Sequence, residues 1–472
     1  AAAAAAATGS SALCIIKAAM ASQTRELSRR TSLILKASHS LHGFGGGCSS
    51  TYFQLWLRRA LGLAPGSIGA ICAVYSAVSV LGVPVICSSF DASRSRTRFW
   101  ITAAFVDALV HAAYPLLPIL VGRGAELEVP MRFIALLLWV TLGEVLHGAT
   151  YSLLDTITLL ALPDKLAYGS IRLWAGLLFA VSSFAMGFVV ELPGFDIDVI
   201  FWCFSVCFLA LALLWRISPV DLGITCDSSS EEAQPSSGEP RIASNSFGRR
   251  LWRFARVMDA SLVELLFVVY CMGIASACMN TFVFLLIDDL GGSTAIMGIS
   301  IGLNILTEVP IFRHSGKIIT RIGARGVIYV GVLAHVLRLA GYALAPTAWA
   351  VLLVEPLHGV TFALIWSNLA SIGADIAPPG SEGTTQGVIN GVFNGLGGVT
   401  GMLVGGVLYA RSPQMMFWVM AVMMASILPL MLVSDLCCRR RCRSSGTGAD
   451  CGGPSGASLR DMEGAGSAAV HG

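Results

Sequence analysis

The sequence predicts an all-α polytopic membrane protein with twelve transmembrane helices arranged as two pseudo-symmetric six-helix halves. Three observations support this fold class: the composition, the distribution of basic residues and an internal repeat. The 472-residue chain is 55% hydrophobic and only 12% charged, whereas soluble domains carry about 25% charged residues. A helix that crosses a bilayer needs about 17–25 mainly apolar residues. The predicted spans are 33–57, 66–89, 99–121, 131–156, 169–191, 197–216, 257–287, 295–313, 326–345, 347–373, 385–409 and 414–434.

The first of these spans is the least regular in sequence. Its segment "KASHSLHGFGGG", residues 36–47, carries a lysine, two histidines and four glycines. Such a segment is tolerated at membrane depth only where protein or water faces it. We therefore expect a broken or kinked helix in this segment.

The basic residues predict the orientation of the chain. With both termini in the cytosol, the cytosolic segments hold 23 of the 31 lysines and arginines and the outer loops hold 5. The remaining three, Lys36, Arg172 and Arg338, lie inside spans, whereas Arg132, Arg216 and Arg313, at span ends, are counted with the adjoining segments. Cytosolic loops of membrane proteins carry an excess of basic residues. The sequence thus predicts a multi-pass integral protein of the plasma membrane or an endomembrane, with both ends cytosolic.

The polar segments divide the chain into two halves. Residues 217–255 contain "DSSSEEAQPSSGEP", a composition typical of a flexible cytosolic linker. This linker separates an N-terminal six-helix half, 29–216, from a C-terminal six-helix half, 256–436. We expect residues 1–28 to form a cytosolic tail and residues 437–472 a disordered cytosolic tail.

A seven-residue motif occurs once in each half. The pattern E-x-x-H-G-x-T occupies residues 144–150 and again 355–361, an offset of 211 residues. Both copies lie inside apolar segments, where a carboxylate and an imidazole are costly. Related halves joined by a long loop are typical of secondary transporters. The repetition therefore places spans four and ten at equivalent positions in the two halves.

The chain resembles the major facilitator superfamily over roughly residues 30–435. The segments that carry the resemblance are "YGSIRLW" (168–174), "LRLAGY" (337–342) and "EPLHGVTFALIW" (355–366). Within the superfamily the chain resembles the lactose-permease-like branch that includes the major facilitator domain-containing protein 6 group. The resemblance implies a secondary active transporter that moves a small polar organic solute, sugar- or nucleoside-like, by alternating access with proton-coupled symport.

The resemblance also implies a set of substrate contacts in the N-terminal half. In the proton–sugar symporters of this branch, a carboxylate of span four pairs with an arginine of span five and grips the substrate. Asp155 and Arg172 match that pair. The stacking aromatic residue of span five falls at Phe179, where an indole is expected.

The C-terminal half matches the branch less closely. The span-nine arginine corresponds to Arg338 and the span-ten histidine to His358, while Glu308 stands where span eight has an asparagine. The proton-carrying carboxylate of the branch falls at Thr361. Either Glu355 takes over this role, or proton coupling is absent.

The spacing of the ionisable residues supports these assignments independently. At about 100° per residue, Glu144, His147 and Asp155 form one polar stripe on span four, and Glu355, His358 and Trp366 form the equivalent stripe. Ionisable groups in spans usually face a cavity or the bundle interior, although each Glu–His pair could instead lock helix packing. The predicted substrate-binding residues are Asp155, Arg172, Phe179, Glu308, His358 and Trp366. The predicted proton-coupling residues are Glu355, His358, Arg338, Glu144 and His147.

In this interpretation Arg172 offers a forked donor to substrate oxygens, with Asp155 as its counter-charge. Glu308 and Arg338 form a second couple, and Phe179 or Trp366 offers a ring face. Asp107 and His111 lie four residues apart in span three. Because span three is peripheral in this fold, we expect them to be a structural pair.

Two other classes of protein share parts of this pattern. Paired Glu-x-x-His motifs on two helices also occur in di-iron carboxylate enzymes, so a membrane di-iron oxidase is the enzyme alternative. A transporter fold retained as a receptor or scaffold is the other, because Thr361 lacks the branch's carboxylate. The preferred prediction is a transporter and not an enzyme. It has no cofactor or bound metal, acts as a monomer, and has a small-molecule substrate, protons and the lipid bilayer, but no nucleic acid, as partners.

Overall fold

The computed structural model describes residues 29–162, 168–218, 260–377 and 382–444. The regular elements within these ranges are all helices, and they form ten helical stretches, some of more than one element, that are long and apolar enough to cross a membrane. The protein is therefore a multi-pass membrane protein. The predicted tail 1–28, most of the predicted linker and the chain beyond residue 444 lie outside the described residues.

The helices fall into two groups along the chain, one up to residue 218 and one from residue 260 onwards, which correspond to the two predicted halves. The first group is α1 (29–50), α2 (Phe53–Arg59), α3 (Pro65–Asp91), α4 (Arg96–Ala112), α5 (Leu117–Leu120), α6 (Pro130–Ala161), α7 (Tyr168–Val189) and α8 (Val199–Ile217). The second group is α9 (Ala260–Asp289), α10 (Thr294–Leu344), α11 (Ala348–Val351), α12 (Ile365–Ile376), α13 (Glu382–Asn390), α14 (Gly398–Arg411) and α15 (Pro413–Ser444).

Proline and glycine set several of the helix boundaries. Pro65 and Pro130 stand at the first positions of α3 and α6, where the missing N–H costs nothing. Gly62 and Gly291 have φ values of 68° and 71°, a region that residues with a Cβ rarely adopt. These two glycines turn the chain after α2 and after α9.

The first predicted span is interrupted at a different place from the one expected. Residues 36–47 lie within the continuous helix 29–50, and the interruption follows at residues 51 and 52. A Cβ added to Gly43 or Gly47 would lie 2.1 or 2.2 Å from a backbone oxygen of α7. The glycines therefore allow α1 and α7 to pack backbone to backbone, which explains why a glycine-rich segment remains helical.

Helix α10 covers two predicted spans. It is 51 residues long and contains one non-helical residue, Gly323, with φ 76° and ψ 156°. The predicted loop "RHSGKIITRIGAR", residues 313–325, is helical up to that glycine. The predicted number of twelve spans counts the two parts of α10 separately and includes α1. Both that number and the symmetry of the halves remain predictions.

Helices of the two predicted halves contact each other near one end of the bundle. We call it the predicted outer end and define it by residues 58–65 and 285–294. Close to it, a Cβ on Gly69 of α3 would lie 2.3 Å from the carbonyl oxygen of Met402 of α14. A Cβ on Gly187 of α7 would lie 2.8 Å from the Cα of Gly298 of α10. Glycine thus allows α3 to pack on α14, and α7 on α10.

Candidate functional site

Arg338 is the centre of a hydrogen-bond network in the C-terminal half. Its side chain is 4% exposed. Nη2 donates to Glu355 Oε2 at 2.9 Å, and Nε donates to the Tyr342 hydroxyl at 2.6 Å. The Tyr342 hydroxyl donates in turn to Glu355 Oε1 at 2.8 Å. Both carboxylate oxygens of Glu355 therefore have a donor, as a buried charge requires.

Arg338 also fixes the hydrogen position on His358. Arg338 Nη1 lies 3.0 Å from His358 Nδ1, and a guanidinium can only donate. The Nδ1 atom must therefore accept, so the neutral ring carries its hydrogen on Nε2. That nitrogen lies 3.6 Å from Glu308 Oε2.

One side of the network is buried and the other side is partly exposed. The side chain of Glu355 is fully buried, whereas those of His358 and Glu308 are 18% and 27% exposed. The expected couple of Glu308 with Arg338 is therefore wrong. The carboxylate partner of Arg338 is Glu355, and Glu308 lies on the other side of the imidazole.

The second copy of the motif lies in an irregular stretch of helix. Residues Glu355–Leu357 form a 3₁₀ turn and Gly359–Leu364 a π-helical segment. The wheel of 100° per residue therefore does not apply here, and Arg338 Nη1 also donates to Thr361 Oγ1 at 3.3 Å. A Cβ on Gly359 would lie 2.8 Å from the Thr307 carbonyl oxygen, so this glycine brings the segment close to α10 beside Glu308.

The predicted ring Trp366 lies on the same helical stretch. It is partly buried and packs against the rings of Phe362 and Phe393, with centroids 6.3 and 6.1 Å away. Phe362 stacks on His358 at 5.5 Å. An aromatic row therefore leads from the imidazole to Trp366.

In the N-terminal half the structure brings Asp155 and Arg172 together. Arg172 Nε lies 3.0 Å from Asp155 Oδ1, and both side chains are about one-quarter exposed, at 25% and 24%. The guanidinium carbon lies 4.3 Å from the centre of the Tyr151 ring, a cation–π geometry. Phe179, two turns further along α7, is 39% exposed. The pair is thus accessible, unlike the sealed pair of Arg338 and Glu355.

The first copy of the motif makes different contacts from those expected. Among the described residues, Glu144 and His147 share no hydrogen bond. His147 Nδ1 instead lies 3.7 Å from Asp107 Oδ2, and Thr150 Oγ1 donates to the same oxygen at 3.0 Å. In both halves the histidine and threonine of the motif therefore contact a charged residue of a neighbouring helix, Asp107 or Arg338.

Sequence reasoning missed three members of these networks. Tyr342 follows Arg338 by four residues, and Tyr151 precedes Asp155 by four, so each lies on the same helix face as its charged neighbour. Thr150 is the final residue of the motif itself. For the two tyrosines, position i±4 from a charged residue was the available signal.

No group of three or more His, Cys, Asp or Glu side chains in the described ranges is arranged to hold a metal ion. The two Glu-x-x-His motifs are instead engaged in separate networks. Glu355 is bonded to Arg338, and His147 lies beside Asp107. The geometry therefore offers no di-iron ligand set within the described residues.

Comparison with known families decides the class of the protein. The MFS_1 like family matches residues 44–420. The chain belongs to this family of major facilitator transporters. It is not an enzyme, and the di-iron oxidase alternative is therefore wrong.

Two bacterial relatives are similar over most of the family region. The maltose permease of Geobacillus stearothermophilus is 24% identical over 370 residues, which cover 78% of this chain and 85% of the permease. The probable 3-phenylpropionic acid transporter of Escherichia coli is 27% identical over 392 residues, 80% of this chain and 91% of that protein.

Other similarities are partial or confined to the fold. Major facilitator superfamily domain-containing protein 6-like protein B of Xenopus laevis is 23% identical over 153 residues, 32% of this chain and only a quarter (25%) of that protein. The crystal structure of the nucleoside transporter NupG superimposes with a TM-score of 0.62 at 18% identity, over 85% of this chain and 98% of NupG. At this identity the match supports the fold alone.

Proposed function

We propose that the protein transports a small polar organic solute, sugar- or nucleoside-like, across a membrane by alternating access coupled to protons. The observation that carries the proposal is one accessible pair of ionisable side chains in each half: Asp155 with Arg172, and Glu308 with His358. Intramembrane ionisable residues usually mark a substrate or ion pathway. The relatives named as a maltose permease and a phenylpropionic acid transporter support the transport of a small organic solute.

The solute contacts the N-terminal half through Arg172. The planar guanidinium donates to hydroxyl or carboxylate oxygens, and Asp155 compensates its charge when the site is empty. The exposed rings of Tyr151 and Phe179 give the apolar face of the solute a surface. In the C-terminal half, His358 Nε2–H, Glu308 and Trp366 complete the site.

Proton exchange takes place at Glu308 and His358. Glu355 is fully buried and accepts hydrogen bonds from Arg338 and Tyr342, so a proton there would break existing bonds. Glu308 is 27% exposed and its oxygen lies 3.6 Å from His358. The sealed pair of Arg338 and Glu355 then has a positioning role, because it orients the imidazole towards Glu308.

Alternating access is supported by the contacts at the predicted outer end. Arg58 and Arg59 of the N-terminal half form ion pairs with Asp288 and Asp289 of the C-terminal half. Every ion pair that joins the two halves among the described residues lies at this end. We propose that the halves form twelve spans that rock about the central site, with this end closed in the described state.

The transport test begins by identifying the solute in a thermal-shift screen of sugars, nucleosides and carboxylates. In proteoliposomes, an inward proton gradient is expected to drive accumulation of the solute, and a protonophore is expected to abolish it. Glu308→Gln should remove accumulation but retain solute exchange, because His358 then lacks the carboxylate that stabilises its protonated form. Glu126→Gln, an exposed carboxylate in the loop before α6, is the matched control.

Three outcomes would change the proposed transport mode, the proposed proton site or the proposed function. Uptake indifferent to the gradient and to the protonophore would indicate a uniporter. Accumulation that survives Glu308→Gln but is lost in Glu355→Gln would move the proton to Glu355. A solute that binds but is never transported would favour the receptor alternative.

The outer contacts give a second prediction. Replacing Asp288 and Asp289 together by asparagine is expected to increase the population with an open outer end. Each exposed ion pair stabilises the closed outer end by about 0–1 kcal/mol. Its loss is therefore expected to raise the ratio of open to closed molecules by up to about fivefold per pair. Electron–electron distance measurements between spin labels at Ala64 and Gln414, in a protein with its native cysteines replaced, would detect it as a longer distance.

The control for that measurement is Arg132→Gln. Arg132 pairs with Glu126 at 3.2 Å, also in an exposed position, but both residues belong to the N-terminal half. If the distance distribution is the same in the double variant and in the control, the ion pairs do not hold the halves together.

A further inference from the structure

A second cluster of ionisable groups lies in the N-terminal half, away from Asp155 and Arg172. Its centre is Asp107, which is fully buried. His111 Nδ1 donates to the Asp107 carbonyl oxygen at 3.0 Å and lies 2.9 Å from the carboxylate oxygen Oδ1. Thr150 donates to Oδ2, and His147 Nδ1 lies 3.7 Å from the same oxygen.

The cluster has no permanent cation of its own. Arg338, at the comparable place in the C-terminal half, supplies a fixed positive charge to Glu355. Among the described residues, the basic groups that contact Asp107 are the imidazoles of His111 and His147. An uncompensated buried carboxylate is strongly unfavourable, and an imidazole becomes a counter-charge only when it binds a proton. Charge compensation at Asp107 therefore requires protons.

The cluster also contains buried polar atoms that lack hydrogen bonds. Asp107 Oδ1 and His147 Nδ1 are both buried without a hydrogen-bond partner. The His111 contact to Oδ1 is ionic only, because its Nδ1–H is directed to the backbone oxygen. Buried polar atoms in native proteins nearly always have a partner, so two such atoms in one cluster indicate a missing ligand. A proton on His147 Nδ1 would place a positive charge 3.7 Å from Asp107 Oδ2.

Access to this position is through His147. Its side chain is 16% exposed, whereas that of Asp107 is fully buried. A Cβ on Gly46 of α1 would lie 3.4 Å from His147 Nε2, so the imidazole edge lies against a helix position without a side chain. A proton can therefore reach the buried carboxylate by way of the partly exposed imidazole.

We propose that Asp107, His111 and His147 form a second proton-binding site, in which His147 takes up a proton on Nδ1 and becomes a counter-charge to the Asp107 carboxylate 3.7 Å away. The use of this site in the transport cycle rests on the proposed function. The binding of a proton at the site does not depend on that function. Span three thus carries a proton site rather than the structural pair that the sequence alone favours.

The groups around the site oppose the binding of more than one exchangeable proton, in addition to the proton on His111. The His42 ring of α1 stacks on His147 with centroids 5.1 Å apart, so a charge on both rings is unfavourable. His42 Nε2 lies 3.4 Å from Thr150 Oγ1, which links it to the carboxylate. Glu144, one turn before His147 on α6, lies within electrostatic range of both His111 and His147.

Three more distant groups act on the same site. Tyr114 packs on His111 with ring centroids 5.2 Å apart, and Arg172 and His39 act on His42 through their charges. Of the two stacked rings, His147 is the one with an ion-pair contact to the Asp107 carboxylate, so the proposed proton is placed on His147.

The test observes histidine protonation directly and needs no solute. Protein labelled with ¹⁵N at histidine is placed in lipid nanodiscs, and the ring nitrogens are followed by solid-state NMR between about pH 5 and pH 8, where imidazoles titrate. His147 is expected to gain a proton on Nδ1 as the pH falls. In Asp107→Asn this signal should be lost or move to lower pH, because the negative charge that favours the proton is gone.

A second variant separates proton binding from folding. His147→Gln removes a ring whose Nδ1 has no hydrogen bond, so it should leave the fold intact while one titrating signal disappears. The buried ring of His335, whose Nδ1 lies 2.8 Å from the Gly331 carbonyl oxygen, reports on the fold, and exposed His314→Gln is the control. A His147 ring that stays neutral across this range, or that titrates unchanged in Asp107→Asn, would overturn the proposal. A transport-inactive protein in which His147 titrates as expected would count against the proposed function only.

Discussion

Arg338→Met is expected to destabilise the protein by about 3–5 kcal/mol, the cost of stranding one partner of a buried ion pair. The reason is geometric: Glu355 is fully buried and loses its cationic donor at 2.9 Å. The same change removes the donor to His358 Nδ1, so the imidazole is no longer held towards Glu308. Denaturant unfolding in mixed micelles measures the loss of free energy.

A double variant distinguishes the stranded charge from lost packing. Arg338→Met combined with Glu355→Leu removes both charges, and such replacements are often neutral or stabilising. We expect the double variant to recover much of the lost stability but not proton-coupled accumulation. Arg411→Met, at an exposed position of α14, should change stability by no more than about 0.5 kcal/mol. A double variant as unstable as Arg338→Met would show that the ion pair is not the cause.

Arg172→Lys is expected to weaken solute binding by about 10- to 100-fold, the loss of a hydrogen bond to a charged group. Lysine keeps the positive charge but lacks the planar guanidinium group with its several N–H donors. Because Arg172 and Asp155 are about one-quarter exposed and lysine retains the positive charge, no fully buried charge is stranded, and we expect only a small change in stability. Solute affinity by isothermal titration and thermal stability are measured on the same sample.

The alternative for Arg172 is a purely structural pair with Asp155. That alternative predicts the reverse pattern, in which stability falls while the surviving protein binds normally. Arg216→Lys, the same chemical change at an exposed position near the end of α8, is the matched control. An affinity for Arg172→Lys within a few-fold of the unaltered protein contradicts the substrate-binding assignment.

The sequence by itself determined the class of protein and the residues worth examining. Low charge and long apolar runs exclude a soluble domain, because only continuous apolar helices satisfy the backbone inside a bilayer. The pairing of Asp155 with Arg172 was implied by the resemblance to the lactose-permease-like branch, whose span-four carboxylate and span-five arginine these residues match. Composition and motif matches are read along the sequence, so neither needs the tertiary structure.

Only the tertiary structure decided which charges meet. Helical periodicity assigns a residue to a face of its own helix, but not to the helix that this face contacts. Arg338 pairs with Glu355 rather than Glu308. Gly359 allows the irregular segment to approach α10 closely, and His358 of that segment lies beside Glu308. His147 faces Asp107 rather than Glu144 for the same kind of reason. The energy of a buried charge depends on neighbours that are distant in sequence, and packing alone brings them within a few ångströms.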